Sequence, residues 1–324
     1  MRIRCAVKRG MAGIGLSCLA LFWAQTAQAQ VKLEYKFPEG KALKYKTTSK
    51  TSQVLTLAGQ EIETQSNQTL TVSSKVGKKR DDSSIPVEQK IESLRVELSL
   101  PGGINVNYDS SDPGAKIDNP NLAFLGEVFK LTGEIGYTIV LDNQNKVKAI
   151  EGTEKLLEKA EKLSPPARSA IRSHIEADTL KKSFEQELRH LPDILARPGE
   201  SWERTEVLDL GSGQTLTFQK KYEYVGTEKM GDKTLDKISS KTTKVDLKQD
   251  PAVDSPLKLV KSDVKVESSD ATILFDREEG HVFNSRGKIR IKGDKMTFSL
   301  NGMELDGALD FTIETSVDLQ PAAK

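Results

Sequence analysis

The stretch Glu154 to Leu191, EKLLEKAEKLSPPARSAIRSHIEADTLKKSFEQELRHL, decides how the rest of the chain is read. Leu156, Leu157, Ala160 and Leu163 are spaced for one short helix. After Pro165-Pro166, Ala167, Ile171 and Ile175 step by four, and Leu180, Phe184, Leu188 and Leu191 continue by four, four and three. Residues at these intervals share one helix face. Arg172, Glu176, Lys182 and Glu185 take the other face, and Pro192 with Pro198-Gly199 closes the run. A helical connector with a single apolar face must pack on something.

On either side of it the period is two. Val31, Leu33, Tyr35 and Phe37 alternate with Lys32, Glu34 and Lys36, which predicts a strand with one wet face. Pro38 to Gly40 breaks it. Leu43 and Tyr45, Leu55 and Leu57, Leu70 with Val72 and Val76, and Leu94 to Leu100 keep the alternation, with turn clusters at 57–60 and 77–82. TTSKTSQ from Thr47 and ETQSNQT from Glu63 are polar on both faces, which suits the wet end of a curved sheet or barrel wall. Beyond the connector Trp202 opens a second β half, in which Leu216, Phe218, Tyr222 and Tyr224 share a face and further alternating runs reach Val317. Thr138 to Asp142 and Thr272 to Asp276 form a short echo, each ending a strand in aspartate before a turn. The expectation is a mainly β protein, with long antiparallel strands in a curved sheet or barrel-like pair of halves. It divides into a β half at 30–152, a helical connector at 153–197 and a β half at 198–324.

Residues 1–29 read as a signal peptide. Arg2, Arg4, Lys8 and Arg9 precede an apolar run from Met11 to Ala24, and Ala27-Gln28-Ala29 supplies small residues for cleavage. That run falls short of the roughly 18 residues a membrane span needs. Export to the periplasm or beyond is therefore expected. Cys5 and Cys18 both lie in this segment, so the mature chain carries no thiol or disulfide. Its four basic residues reduce 48 Lys and Arg to 44, against 47 Asp and Glu, a net charge of −3. With both signs interspersed, no basic stripe points to nucleic acid, and no later segment is apolar enough to cross a membrane. A hydrophobic content of 36% and aromatic content of 6% favour thin layers over one thick core.

Motifs of known chemistry are missing: the sequence from Gln30 has no HExxH, GxSxG, GxGxxG or glycine-rich phosphate loop. No catalytic residue and no cofactor are assigned. His174 and His190 stand sixteen apart, about 24 Å along a straight helix and too far for shared ligation. Ser201, in GESWE, lacks the second glycine of a nucleophile elbow. The loop SLPGGINVNYDSSDPGAKIDNP, 99–120, gathers Asp109, Asp112 and Asp118 with Ser110 and Asn119, oxygens of the kind calcium takes. Their spacing is not that of an EF-hand, and Pro113-Gly114 is a turn signal in its own right, so these residues favour a turn over a metal site.

The same loop carries a resemblance. Leu94 to Leu98, leading through Pro101-Gly102-Gly103 to Tyr108-Asp109-Ser110, resembles a signature of a family of exported bacterial proteins of unknown function, common in planctomycetes. Gly133 to Gly152 with its DNQNKVKAIEG hairpin, Pro198 to Trp202, Tyr222 to Gly226 and Ile273 to Asp276 continue it in order. The resemblance implies export, a mainly antiparallel β architecture and a middle helical segment, and it brings no activity, cofactor or catalytic residue. It makes Tyr108 to Asp112 a structural or binding feature.

The leading expectation for function is a non-enzymatic binding or carrier protein for a hydrophobic, lipid-like molecule. The helices would cover an apolar groove lined by residues such as Phe184 and Leu188; a solid interior beneath them would exclude it. The alternative is a structural or protein-interaction module of the cell envelope that offers strand edges to a partner protein. A hydrolase, with two carboxylates facing each other in a cleft, ranks third because aromatic rings for stacking are scarce.

Overall fold

Alternating sequence becomes long strands. The computed structural model describes residues 30–321 except Pro113, Ser212, Pro251, Asp254 and Pro256; the expected signal peptide and both cysteines lie outside them. The N-terminal part holds β1 (Ala42–Leu57), β2 (Gln60–Val76), β3 (Ile85–Leu100), β4 (Ile104–Asp109), α1 (Ala123–Gly133), β5 (Gly136–Leu141) and β6 (Val147–Glu151). Helices α2 (Glu154–Ala160), α3 (Pro165–Ile175) and α4 (Ala177–Leu188) follow. Then come β7 (Ser201–Gly211), β8 (Gln214–Met230), β9 (Lys233–Gln249), β10 (Leu257–Lys261), β11 (Lys265–Asp276), β12 (His281–Leu300) and β13 (Met303–Leu319).

The protein is mainly β, and its strands form one antiparallel sheet in the order β6-β5-β3-β2-β1-β13-β12-β11-β9-β8-β7. Strand β4 adds to β3 and β10 to β12. The sheet is not closed: β6 and β7 end the order, and α2 to α4 connect them along the chain. The first strand, β1, pairs with the last, β13, so the two β halves meet at the middle of the sheet. Tight hairpins set the register; Ala58-Gly59 and Asn301-Gly302 both have positive φ at each position, the twist that a two-residue connection needs.

The two faces differ in kind. Leu55 and Leu57, Ile289 and Ile291, and Phe311 and Ile313 turn inward to join Leu216, Phe218, Val245 and Phe298. Residues between them turn outward and pair across strands: Arg286 with Asp318 at 2.7 Å, Lys288 with Glu314 at 2.6 Å and Arg290 with Asp310 at 2.5 Å. This outer ladder is wet, whereas a membrane-crossing barrel presents an apolar band there.

Two expectations need correction. Val31 to Phe37 is not a strand of the sheet. It is an extended arm with a single two-way bridge between Val31 and Ala196 and a bond from Lys36 N to Gly280 O at 3.0 Å. Its alternation still sorts the side chains, since Leu33 is buried beside Phe275 while Phe37 packs on the cluster around Ile139. An extended chain with one apolar face can lie across an interior as well as along an edge. Helix α1 was not anticipated within the first β half. Gly126 and Thr132-Gly133 dilute its periodicity, yet Val128 and Leu131 pack on Leu156, Ala160, Ile171 and Ile175 of α2 and α3.

Candidate functional site

Helix α4 divides the interior. Glu176 is extended (φ −68°, ψ 139°) and separates α3 from α4. Phe184 and Leu188, one turn apart, face a cavity of about 380 Å³. Ser183 and Gln186 face a second one of about 340 Å³, and Glu187 and His190 reach both. The first touches seven neighbouring strands, from β5 through β3, β2, β1, β13 and β12 to β11. Laid flat at about 4.8 Å per strand these would span about 29 Å, so the sheet bends around the cavity with α4 inside the bend.

The helix is fastened to the β7 edge. Gln186 Oε1 accepts from Val207 N at 2.7 Å, and the Arg204 guanidinium donates to Arg189 O at 2.8 Å and Leu191 O at 3.1 Å. Trp202 Nε1 donates to His190 O at 3.1 Å while its ring stacks on Tyr222, centroids 5.8 Å apart. On the wall of the second cavity the Glu206 carboxylate takes Lys220 Nζ at 2.5 Å and the Tyr222 hydroxyl, with His190 Nε2 at 3.5 Å. Burial opposes its ionisation, and the His190 and Lys220 contacts overcome that, holding Glu206 down at about 2.

The larger cavity is apolar over most of its wall: Phe184 and Leu188 face Leu43, Val72, Val76 and Tyr137. The phenol and carboxyl groups on its wall are pushed toward their neutral forms. Burial, then the charge of Glu187, lifts the Tyr35 and Tyr45 hydroxyls well above the usual phenol range and Tyr137 to about 12. Burial also raises Glu187, with nearby His190 pulling the other way. Glu187 keeps accessible surface because it faces the cavity. Most polar atoms here are satisfied: Tyr45 Oη donates to Val282 O at 3.0 Å, Tyr35 Oη to Glu187 O at 3.3 Å and Gln89 Nε2 to Ser74 Oγ at 2.9 Å. His281 differs. It is 5% exposed, and neither ring nitrogen has a hydrogen-bond partner.

The aspartate loop is elsewhere and does not converge. Asp109 Oδ1 accepts from Ser111 N at 2.9 Å and Ser111 Oγ at 2.6 Å, and Asp112 Oδ1 from Gly114 N at 2.8 Å, each closing a local turn. Asp118 is exposed, 4.0 Å from Lys116. Tyr108-Asp109-Ser110 works as a joint: Tyr108 packs on Phe129, and Ser110 Oγ accepts from Leu94 N at 2.8 Å, where β3 passes from β4 to β5. Among the described residues no three His, Cys, Asp or Glu side chains are placed to share a metal ion. Phe184 and Leu188, named from the sequence as groove-lining, line this cavity together with Glu187, which the sequence did not single out, and His281, which as a lone histidine reads as a surface residue and is instead buried.

No curated protein sequence matches the chain. Among solved structures, a lipovitellin structure concerned with lipid–protein interactions aligns at 10% identity and a TM-score of 0.39, over 89% of this chain and 26% of that one. The chain thus spans about a quarter of lipovitellin. The COG4313 outer membrane channel from Pseudomonas putida F1 aligns at 8% identity and 0.23, over 89% of this chain and 98% of that one. DynF from the dynemicin biosynthesis pathway of Micromonospora chersina aligns at 9% and 0.16, over 89% and 85%. Scores this far under 0.5 assign neither a shared fold nor a shared ligand. Residues 82–319 match the family of unknown function DUF6263, and the chain belongs to that family.

Proposed function

We propose that this is a non-enzymatic binding or carrier protein for a hydrophobic, lipid-like molecule, held between α4 and the bent sheet and working outside the cytoplasm after loss of residues 1–29. The observation that carries the reading is the cavity of about 380 Å³ beneath Phe184 and Leu188, within the size range of small-molecule pockets and apolar over most of its wall. The interior under the helix is not solid, and the shifts of Tyr35, Tyr45, Tyr137 and Glu187 toward their neutral forms accord with a medium that favours an apolar guest.

The test is native mass spectrometry of the protein exported through its own N-terminal segment. The expected result is a retained adduct in the lipid mass range, lost from Phe184→Asp and Leu188→Asp. A wild-type protein of unliganded mass that also fails to take up an apolar fluorophore would exclude the reading. An envelope interaction module is the second reading, supported by edge strand β7, on which Val207, Leu208 and Leu210 are exposed. Gln186 already bonds the main chain of Val207 and shortens that edge, which favours the carrier. Specific oligomers of the unliganded protein would reverse the preference.

A further inference from the structure

One end of the larger cavity is built from hydrogen-bond donors. His281 opens β12 opposite Asp276 and lines the wall. Asp276 does not serve it: one oxygen takes Lys233 Nζ at 2.5 Å and the other Glu279 N at 3.0 Å, and neither bonds a ring nitrogen. The main chain of Glu279 lies close enough to influence the ring but meets neither nitrogen at hydrogen-bonding geometry. Burial and the charge of Lys41 keep the imidazole below its ordinary range, so near neutral pH it offers one N–H and one lone pair.

Two lysines line the same end. The Lys41 side chain is 10% exposed, and its ammonium group donates to the main-chain oxygen of Glu279 and, at 3.3 Å, to the Glu279 carboxylate. Lys36, at the rim, donates to Arg277 O at 2.9 Å and Glu278 O at 3.0 Å. Each ammonium group has three hydrogens, so each retains one. Among the described residues the only acidic side chain lining this cavity is Glu187, across on α4, and burial pushes it toward its neutral form.

We propose that the bound molecule is an amphiphile with an anionic oxygen head group, a carboxylate being the simplest, seated on His281, Lys41 and Lys36, with its apolar tail running toward Phe184 and Leu188. This rests on the carrier reading and specifies its ligand. A buried imidazole without partners is costly in the empty protein. Both ring nitrogens lie beneath the surface of the cavity, so the ring turns about its side-chain bonds to present its N–H, and an anionic oxygen then meets that N–H and a spare lysine hydrogen together through charge-assisted bonds. The carbon chain then replaces water along the apolar wall.

The experiment titrates the full exported chain calorimetrically with decanoate and with decan-1-ol, which share a tail and differ in the head. Decanoate is expected to bind at least tenfold more tightly. In His281→Leu and in Lys41→Met that ratio falls below threefold, and His281→Leu melts above the wild type because an orphaned polar group has gone. Equal affinities in the wild type, or a preference that survives both substitutions, overturn the head-group assignment and leave the carrier reading standing. Binding of neither compound overturns both.

Discussion

Glu206 shows how one side chain sets the terms for its surroundings. Its carboxylate is 18% exposed, its ordinary value is 4.5, and contacts with His190 and Lys220 hold it at about 2. The folded state therefore releases this proton more readily than the unfolded chain. The stabilisation is complete above about pH 4.5 and is lost as pH falls through the window down to about 2. A gap of about 2.5 units corresponds to about 3 kcal/mol. Glu206→Gln should flatten the acid limb of a stability–pH profile from chemical denaturation; a limb as steep as the wild type's would assign the acid sensitivity to other carboxylates. Phe184 and Leu188 were legible in the sequence because their spacing by four is a local signal, complete within one turn of helix. His281 was not legible, because its meaning depends on Lys41, which meets Glu279 across 238 positions.

At the scale of elements, periodicity stated which way side chains point and left open what the backbone pairs with. The arm at Val31 to Phe37 alternates as a strand does, yet it is held by the β11–β12 turn. Gly280 is central to that hold: at φ +68° a Cβ would lie 2.4 Å from Lys36 Cγ and 2.7 Å from Lys36 N. Gly280→Ala combines an unfavourable backbone angle, worth about 1–2 kcal/mol, with a collision that lifts the arm. Amide exchange at Val31 and Lys36 should then accelerate while the central strands keep their protection; unchanged exchange at both would mean the arm is secured elsewhere. The break between α3 and α4 at Glu176 went unread, although Ile175 and Leu180 are five apart where the steps on either side are four. Helix α1 stayed hidden because it spans only eleven residues, with Gly126 inside it, and its stability comes from α2 and α3. The Asp109 loop drew attention by composition, but Asp and Ser next to a Pro-Gly turn form such bonds with their own backbone wherever they occur.

For the whole molecule, alternation at strand after strand was enough to foresee a mainly β chain with a bent sheet and a helical connector. That β6 and β7 would be its ends, with α4 lying inside the bend, depends on pairings between distant segments that no local pattern encodes. One of those pairings also governs when the molecule can form. Leu57 pairs with Gly307 and Tyr45 with Leu319, partners 250 and 274 positions apart, and these contacts lie at the centre of the sheet. Contacts so distant in sequence form slowly, because a long loop must close before they contribute. During synthesis β1 and β12 therefore keep one edge each unpaired until the last seventeen-residue strand emerges. A chain ended at Gly302 should elute as aggregate on size-exclusion chromatography where the full chain elutes as a defined species, and a well-behaved truncated monomer would refute the dependence. A protein whose central seam waits for β13 is slow to fold while it is being made, and for that interval the open edges of β1 and β12 are exposed to capture by a strand of another chain.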